Sequence, residues 1–220
     1  MNKTEILERI RAIGLVPVLR ATSAKEAITI ADAILAGGVT VLEVTMTVPG
    51  AIQVMQQLAD HHGEKLLIGA GTVLDAETAR SCLLAGAQFI VSPALDVRTI
   101  ELCRRYSAPV MPGALTPTEI VTAWQAGADL VKVFPCSAVG GAKYLKALQA
   151  PLPQIPLIPT GGVSLSTAAE FLAAGAFALG VGSDLVDAKA AAEGRVHVIT
   201  ENARKYMDIV RKFRNPGAGS

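Results

Sequence analysis

The 220-residue sequence predicts an α/β protein built as a single (β/α)8 barrel. Hydrophobic residues make up 51% of the chain but aromatic residues only 4%, so the core must consist of Val, Ile, Leu and Ala, as in parallel sheets buried on both faces. An Ala-Gly dipeptide lies between the end of a helical pattern and the start of an aliphatic run at four places, which begin at Ala36, Ala85, Ala126 and Ala174. This spacing fits two βα units, and eight alternating units in one chain of this length favour a compact TIM barrel.

The strand predictions follow the aliphatic runs, and each run ends near a glycine, a proline or a polar residue. Because alternation of strands and helices does not prove that a sheet closes, an open doubly wound sheet remains the alternative. The predicted strands are 15–19, 41–45, 67–71, 89–92, 110–112, 130–134, 157–160 and 178–181.

Helical patterns lie between these strands and begin with residues that cap helices well. The expected caps are the pair Thr22-Ser23, Asp75, Thr116 before Pro117, and Ser164 or Ser166. At the helix ends, a glycine in the left-handed conformation is expected. The predicted helices include 24–35, 77–84, 118–126 and 167–173, a terminal helix spans 196–213, and the chain divides into a barrel domain, 1–214, and a flexible C-terminal tail, 215–220.

Composition excludes several classes of partner. A formal net charge of +1 gives no field that would attract nucleic acid or an acidic membrane. No apolar run approaches the roughly 18 residues that a membrane span needs, and the polar residues 1–5 differ from a secretory signal. The scattered cysteines Cys82, Cys103 and Cys136 are interpreted as small buried side chains in a reducing cytoplasm. We therefore expect a cytoplasmic protein without nucleic-acid or membrane partners.

Two charged residues interrupt strands that should otherwise be aliphatic. Lys132 lies within 130–134 and Glu43 within 41–45. Burial disfavours the charged form of a lysine, which makes its neutral amine available to attack a carbonyl, and a buried carboxylate can move protons. The alternative is a buried ion pair, although such pairs seldom stabilise a fold more than apolar packing does. The two residues are the candidate catalytic groups.

Glycine clusters follow the last two predicted strands. Gly161 and Gly162 come after strand 157–160, and Gly182 and Ser183 come after strand 178–181. Glycine allows backbone N–H groups to close on an anion, and the loops after the seventh and eighth strands of such barrels are where phosphate sites form. The sequence therefore predicts a phosphate site.

Two further polar residues end strands at the same rim. Thr72 follows strand 67–71 and could bond a substrate carboxylate or carbonyl, or could instead cap the next helix. Arg20 ends strand 15–19, and its guanidinium suits a planar carboxylate, with a rim ion pair as the alternative.

The histidines do not form a predicted metal site. His61 and His62 are expected as a solvated surface pair at a helix end. No cluster of His, Asp or Glu stands at the strand ends, so the sequence predicts no metal ligands and disfavours both a metal-dependent enzyme and a Ser-His-Asp hydrolase.

Taken in order, seven short motifs resemble the bacterial 2-keto-3-deoxy-6-phosphogluconate (KDPG) / 4-hydroxy-2-oxoglutarate (KHG) aldolase family. The resemblance covers the chain except for its last few residues. The motifs are Leu42-Glu43-Val44-Thr45, Gly69-Ala70-Gly71-Thr72-Val73, Val91-Ser92-Pro93, Met111-Pro112-Gly113, Val131-Lys132-Val133-Phe134-Pro135, Pro159-Thr160-Gly161-Gly162-Val163 and Gly180-Val181-Gly182-Ser183.

The resemblance implies a homotrimeric class I aldolase of the TIM-barrel type that needs no cofactor. It implies that a phosphorylated keto-deoxy sugar acid is split to pyruvate and glyceraldehyde 3-phosphate. By the family pattern, Lys132 forms the Schiff base and Glu43 moves protons. Thr72 and Pro93 then lie at the pyruvate moiety and Thr160 near the substrate chain. Gly161, Gly162, Gly182 and Ser183 hold the phosphate.

One position departs from the family pattern. Some members carry an arginine for the pyruvate carboxylate where this sequence has Thr47, and Arg20 is the expected replacement. The segment Gly182-Ser183-Asp184-Leu185 is similar to the branch that acts on the galactonate epimer, so the preferred epimer stays open. A phosphosugar isomerase or epimerase, and a non-enzymatic binding protein on the same scaffold, are the rival hypotheses.

Overall fold

In the computed structural model, which describes residues 1–215, parallel strands alternate with helices along the chain. The strands are β1 (Leu15–Leu19), β2 (Val41–Thr45), β3 (Leu67–Gly71), β4 (Phe89–Val91), β5 (Val110–Met111), β6 (Gly113–Ala114), β7 (Val131–Val133), β8 (Leu157–Pro159) and β9 (Leu179–Val181). The helices are α1 (Lys3–Ile13), α2 (Ala24–Ala36), α3 (Ala51–His62), α4 (Ala76–Leu84), α5 (Val97–Arg105), α6 (Pro117–Ala126), α7 (Ala142–Gln149), α8 (Ala168–Ala173), α9 (Ala188–Ala192) and α10 (His197–Arg214), with 3₁₀ turns at Gly63–Lys65 and Cys136–Val139.

Most predicted helix ends are confirmed. Ser23, Asp75 and Thr116 each accept a backbone N–H of the third residue in α2, α4 and α6, which satisfies a donor that would otherwise lack a partner. The predicted left-handed glycines are also present. They are Gly38, Gly86, Gly127 and Gly175, with φ of 90°, 97°, 97° and 95°.

The predicted cap of α8 is wrong. The residue before α8 is Thr167, whose backbone is already close to helical at φ −106° and ψ −12°, and it makes no capping hydrogen bond. Ser164 and Ser166 bond to each other instead, with 2.8 Å between their hydroxyl oxygens. The hydroxyl groups therefore organise the loop before α8 rather than its first turn.

The strand order follows the chain order. One sheet has the order β5-β4-β3-β2-β1-β9 and the other β6-β7-β8, and every pairing is parallel. The open doubly wound sheet considered above is wrong, because that fold reverses its strand order near the middle. Here the last strand lies beside the first, which requires the sheet to curl.

Two places connect the sheets. The predicted fifth strand, 110–112, is shorter than expected: β5 ends at Met111, and β6 begins after Pro112. Pro112 has no N–H to donate, but its carbonyl accepts from Lys132 N at 2.9 Å. At the other side, Thr160 and Gly180 form an isolated parallel bridge, and Phe177 N donates to Leu157 O at 2.9 Å. Backbone hydrogen bonds thus cross both junctions.

The two faces of the strands bury different apolar clusters. The outer face packs against the helices. The inner face gathers side chains such as Val41, Leu67 and Phe89, and these contact Ile6 and Ile10 of α1. Every second side chain of a strand points to the inner face. The inward residues nearest the amino ends are apolar, and the inward residues that follow them lie nearer the carboxyl ends. Helix α1 therefore covers the amino ends of the strands.

The C-terminal helix is close to its prediction. It was expected over 196–213 and extends over His197–Arg214, with Arg214 Nη1 donating to Ala12 O at 2.7 Å. The predicted flexible tail, 215–220, falls almost wholly outside the described residues, since only Asn215 is included. No helix within residues 1–215 combines the length and apolar character that crossing a membrane requires.

Candidate active site

A cavity of about 450 Å³ opens at the carboxyl ends of the strands. This is the end of a parallel α/β fold where the βα loops supply functional groups. The structure brings together every residue proposed from the sequence. The lining includes Arg20, Glu43, Thr72, Pro93, Lys132, Thr160, Gly161, Gly162, Gly182 and Ser183.

Strand alternation directs the two buried charges to the inner face. In β2, Val41 belongs to the inner cluster, so Glu43 two residues later points the same way. Leu130 places Lys132 on the inner face of β7 by the same rule. Both residues are interior because of the strands on which they lie, not because their side chains are apolar.

The lysine and the glutamate face each other without a close hydrogen bond. Lys132 Nζ lies 3.7 Å from Glu43 Oε1, and the side chains are 8% and 3% exposed. Among residues 1–215, Glu43 Oε1 is a buried oxygen that has no hydrogen-bond partner. The buried ion pair considered as the alternative is therefore present, but it leaves Glu43 Oε1 without a hydrogen bond, and burying such an oxygen costs free energy. The carboxylate is therefore open to a proton, a water or a substrate hydroxyl on the cavity side.

Glycine in β3 leaves the space that Glu43 occupies. A Cβ at Gly71 would lie 2.0 Å from Glu43 Oε1, which is impossible for two non-bonded atoms. Sequence reasoning treated Gly71 as the end of a strand and missed this contact. The contact arises from the parallel pairing of β2 with β3, which places Thr45 opposite Gly71 and Glu43 opposite Gly69.

Thr72 and Pro93 line the same cavity as Lys132 and Glu43. Thr72 has φ of +57°, a left-handed conformation that is uncommon for a residue with a side chain and that clusters at functional sites. The backbone after β4 is packed so closely that a Cβ at Gly113 would lie 2.2 Å from the Pro93 carbonyl carbon. Both residues are thus held in position by the backbone around them.

Arg20 follows β1 directly and lines the cavity as an exposed side chain. None of the ion pairs between described residues includes Arg20, so the rim ion pair is not seen. Thr47 is not among the lining residues, and its hydroxyl lies 2.7 Å from that of Thr45. Arg20 is therefore a cation at the cavity that is available for an anionic group.

The glycine loops after β8 and β9 form the opposite wall. Gly161 and Gly162 have φ of 90° and 78°, conformations that favour glycine and that turn the backbone toward the cavity. Thr160 is buried at their base, and a Cβ at Gly180 would lie 2.0 Å from Thr160 Oγ1. Backbone N–H groups without bulky side chains are suited to an anion such as a phosphate.

The cysteines are not candidate nucleophiles. Burial raises the pKa of Cys82 and Cys136 to about 11 and that of Cys103 to about 12. A thiol is reactive as a thiolate, so these buried groups are inert near neutral pH.

The prediction of a solvated histidine pair is wrong for one member. His62 Nε2 lies 2.9 Å from Asp32 Oδ1 on α2, and its side chain is 10% exposed. Sequence periodicity placed His62 at a helix end but could not show that α2 packs beside it. Within residues 1–215, no group of three or more His, Cys, Asp or Glu side chains could hold a metal ion.

A buried amine 3.7 Å from a buried carboxylate, at the carboxyl ends of parallel strands, is an arrangement suited to an aldolase that activates a carbonyl as an imine. A family model described as KDPG and KHG aldolase matches residues 6–202. The chain belongs to this family of lyases.

Individual relatives agree with the family match. A 2-dehydro-3-deoxy-phosphogluconate aldolase of Treponema pallidum is 34% identical over 94% of this chain and 96% of its own length. A 2-dehydro-3-deoxy-6-phosphogalactonate aldolase of Escherichia coli is 35% identical over 90% and 97%. A crystal structure of a Legionella pneumophila KDPG aldolase contains pyruvate captured as a covalent carbinolamine. Its sequence is 31% identical to this chain, and the two structures superpose with a TM-score of 0.85 over 92% of this chain and 98% of the Legionella chain.

Proposed function

We propose that this protein is a class I aldolase that reversibly cleaves KDPG, also called 2-dehydro-3-deoxy-6-phosphogluconate, to pyruvate and D-glyceraldehyde 3-phosphate. Cleavage of 4-hydroxy-2-oxoglutarate to pyruvate and glyoxylate is the expected second activity. The observation that carries the proposal is the buried Lys132 Nζ, 3.7 Å from Glu43 Oε1, with both residues lining one cavity.

The first chemical step is imine formation at Lys132. Its neutral amine attacks the C2 carbonyl carbon to give a carbinolamine, whose hydroxyl takes up a proton and leaves as water, so that a protonated imine results. The imine nitrogen then accepts the electron pair of the C3–C4 bond as that bond breaks. The carbinolamine trapped with pyruvate in the Legionella relative supports this route. The position of Lys132 supports it further, because the side chain is buried and lines the cavity.

Glu43 is the proposed proton carrier. Directly or through one water, it accepts the C4 hydroxyl proton as the aldehyde leaves, and the C3–C4 electron pair forms an enamine on Lys132. It then returns a proton to C3, and hydrolysis of the imine releases pyruvate and the amine. The unpartnered Oε1 atom supports this role, since a carboxylate oxygen tied up in the fold could not exchange protons.

The pyruvate end of the substrate is assigned to Arg20, Thr72 and Pro93. The guanidinium of Arg20 would bind the carboxylate, in place of the arginine that some relatives have at the position of Thr47. Thr72 and Pro93 line the cavity on the side where the catalytic pair lies. Thr160 would contact the substrate chain.

The phosphate end is assigned to the loops of Gly161 and Gly162 and of Gly182 and Ser183. These residues line the same cavity as the catalytic pair, so one extended substrate can reach both ends. Binding energy from a remote phosphate then positions the reacting carbons.

The galactonate epimer is the second candidate substrate. The Escherichia coli relative named for that epimer is as similar to this chain as the gluconate enzymes are, and Gly182-Ser183-Asp184-Leu185 is similar to that branch. Comparing kcat/KM for the two epimers decides between them. An isomerase or epimerase on this scaffold would form no imine, so the trapping experiment below separates it from both aldolases.

We also propose the architecture and assembly that the family implies. Residues 1–214 form one domain in which hydrogen bonds across Pro112 and across the Thr160–Gly180 bridge close the two sheets into a (β/α)8 barrel. The chain assembles as a homotrimer, for which the expected result in light scattering is the mass of three chains. A reducing cytoplasm is the proposed location, because the cysteines Cys82, Cys103 and Cys136 are all unpaired.

Borohydride reduction in the presence of pyruvate tests the proposal. We expect intact-mass and peptide analysis to find a stable pyruvate adduct on Lys132. Lys132→Ala should give neither adduct nor turnover while its circular dichroism spectrum stays that of the native fold. A folded wild-type protein without an adduct, or an adduct on another lysine, would overturn the assignment.

A further inference from the structure

Asp184 lies on the cavity wall but had no role among the predicted site residues. It follows Ser183 in the loop after β9 and is exposed where that loop borders the cavity. A carboxylate and a phosphate are both negatively charged and repel each other, so a carboxylate is not expected as a phosphate ligand. The position of Asp184 beside the proposed phosphate site therefore suggests a different role.

The Asp184 side chain joins three segments of the fold. Its Oδ1 atom accepts a hydrogen bond from Leu165 N at 3.0 Å, in the loop after β8, and another from the hydroxyl of Tyr206 in α10. Its backbone carbonyl also accepts from Asn202 Nδ2 at 3.2 Å, again from α10. One residue thus connects both glycine loops to the C-terminal helix.

Tyr206 is a fixed partner. The residue is fully buried, and burial together with its bond to Asp184 raises the pKa of its hydroxyl. The hydroxyl therefore remains a donor at any pH near neutrality. A neutral donor held rigidly in the core gives the carboxylate a defined place.

Each glycine loop has its own internal bonds. In the first loop, Thr167 Oγ1 donates to Gly162 O at 2.9 Å. In the second, Leu185 N and Val186 N donate to Gly182 O at 3.1 and 2.9 Å. These bonds set the shape of each loop but not the distance between them, whereas the bond from Leu165 N to Asp184 spans that distance.

We propose that Asp184 is a positioning residue that holds the loops of Gly162 and Gly182 at the separation a phosphate group requires. It does so through Leu165 and Tyr206 and without touching the substrate. The inference rests on the proposed function, because it assumes that the phosphate of the substrate lies between these loops.

Steady-state kinetics of Asp184→Ala test the inference. Loss of hydrogen bonds to a charged group should raise KM for KDPG on the order of tenfold, while kcat stays within about twofold because the catalytic pair is unchanged. Trapping of pyruvate on Lys132 should be as in the wild type, since pyruvate carries no phosphate. A raised KM with unchanged kcat and unchanged pyruvate trapping distinguishes a positioning role from a general loss of structure.

Two matched variants identify the cause. Asp184→Asn keeps the Oδ1 acceptor, so its KM should lie within about threefold of the wild-type value. Tyr206→Phe removes one of the two donors to Oδ1, so it should raise KM less than Asp184→Ala does. An unchanged or lower KM in Asp184→Ala, a defect in Asp184→Asn equal to that of alanine, or an equal loss of pyruvate trapping would each overturn the inference. By contrast, a wild-type protein that traps no pyruvate contradicts the proposed function itself.

Discussion

The two ends of the same strands have opposite characters. At the amino ends, Ile6 and Ile10 of α1 complete an apolar cluster, and Lys3 Nζ pairs with Asp129 Oδ1 at 2.7 Å. At the carboxyl ends, Glu43 is buried with an oxygen that has no partner, and Thr72 is held in a left-handed conformation. A charged group at the amino ends is thus paired at close range, whereas Glu43 Oε1 at the carboxyl ends has no hydrogen-bond partner among residues 1–215.

This difference separates stability from activity within one set of strands. Apolar burial under α1 lowers the free energy of the folded state, whereas burying the polar groups of Lys132 and Glu43 and holding Thr72 in a left-handed conformation raise it. The protein can maintain a costly site at one end because the other end is well packed. Changes at the two ends should therefore have different consequences.

The largest expected effect is that of Glu43→Gln at the carboxyl end. The amide cannot carry the proton, so kcat should fall by roughly 10²–10⁴ while borohydride still traps pyruvate on Lys132. Glu5→Gln in α1 is the matched control, and its turnover should be that of the wild type. Normal turnover in Glu43→Gln would contradict the proton-carrier role.

Ile10→Ala, at the amino end, should lower stability and leave activity unchanged. Ile10 is fully buried under the strands, so its truncation should lower the free energy of unfolding by about 2–5 kcal/mol in urea denaturation. Its kcat and KM should remain normal wherever the variant is folded. Leu84→Ala, at a residue that is 66% exposed, provides the control and should change stability little. A stable but inactive Ile10→Ala would show that the two ends are coupled.

Arg20→Ala should produce the smallest of these effects. Without the guanidinium, KM for substrate should rise about 10- to 100-fold, the range expected for hydrogen bonds to a charged group. Arg11→Ala, on α1 at the amino end, should leave KM unchanged. Adding Thr47→Arg to Arg20→Ala should recover part of the affinity if the two positions bind the same carboxylate. Wild-type KM in Arg20→Ala would remove Arg20 from the site.

Local sequence signals predicted the parts of this fold that depend on local interactions. The bounds of β1, β2 and β3 are those expected, because each is an aliphatic run that ends at a polar residue or glycine. The strand predicted over 110–112 ends before Pro112, since a proline cannot donate to the ladder. The position of a charge on an inner strand face then placed Lys132 and Glu43 correctly at one cavity.

Contacts between distant segments could not be predicted in this way. The bond of Tyr206 to Asp184, the pairing of His62 with Asp32 and the contact of Gly71 with Glu43 each join different elements. Their partners are fixed by how helices and strands pack, which no local pattern contains. The resemblance to a family supplied chemical roles for the site but not these supports.

The glycines around the site also limit how its specificity can be re-engineered. A side chain at Gly71, Gly113 or Gly180 would collide with Glu43, Pro93 or Thr160, respectively. In a library that randomises every position near the cavity, most members would carry a side chain that makes one of these collisions. Keeping the three glycines fixed and varying the exposed rim would direct the diversity to positions that can accept new side chains and so admit new aldehydes.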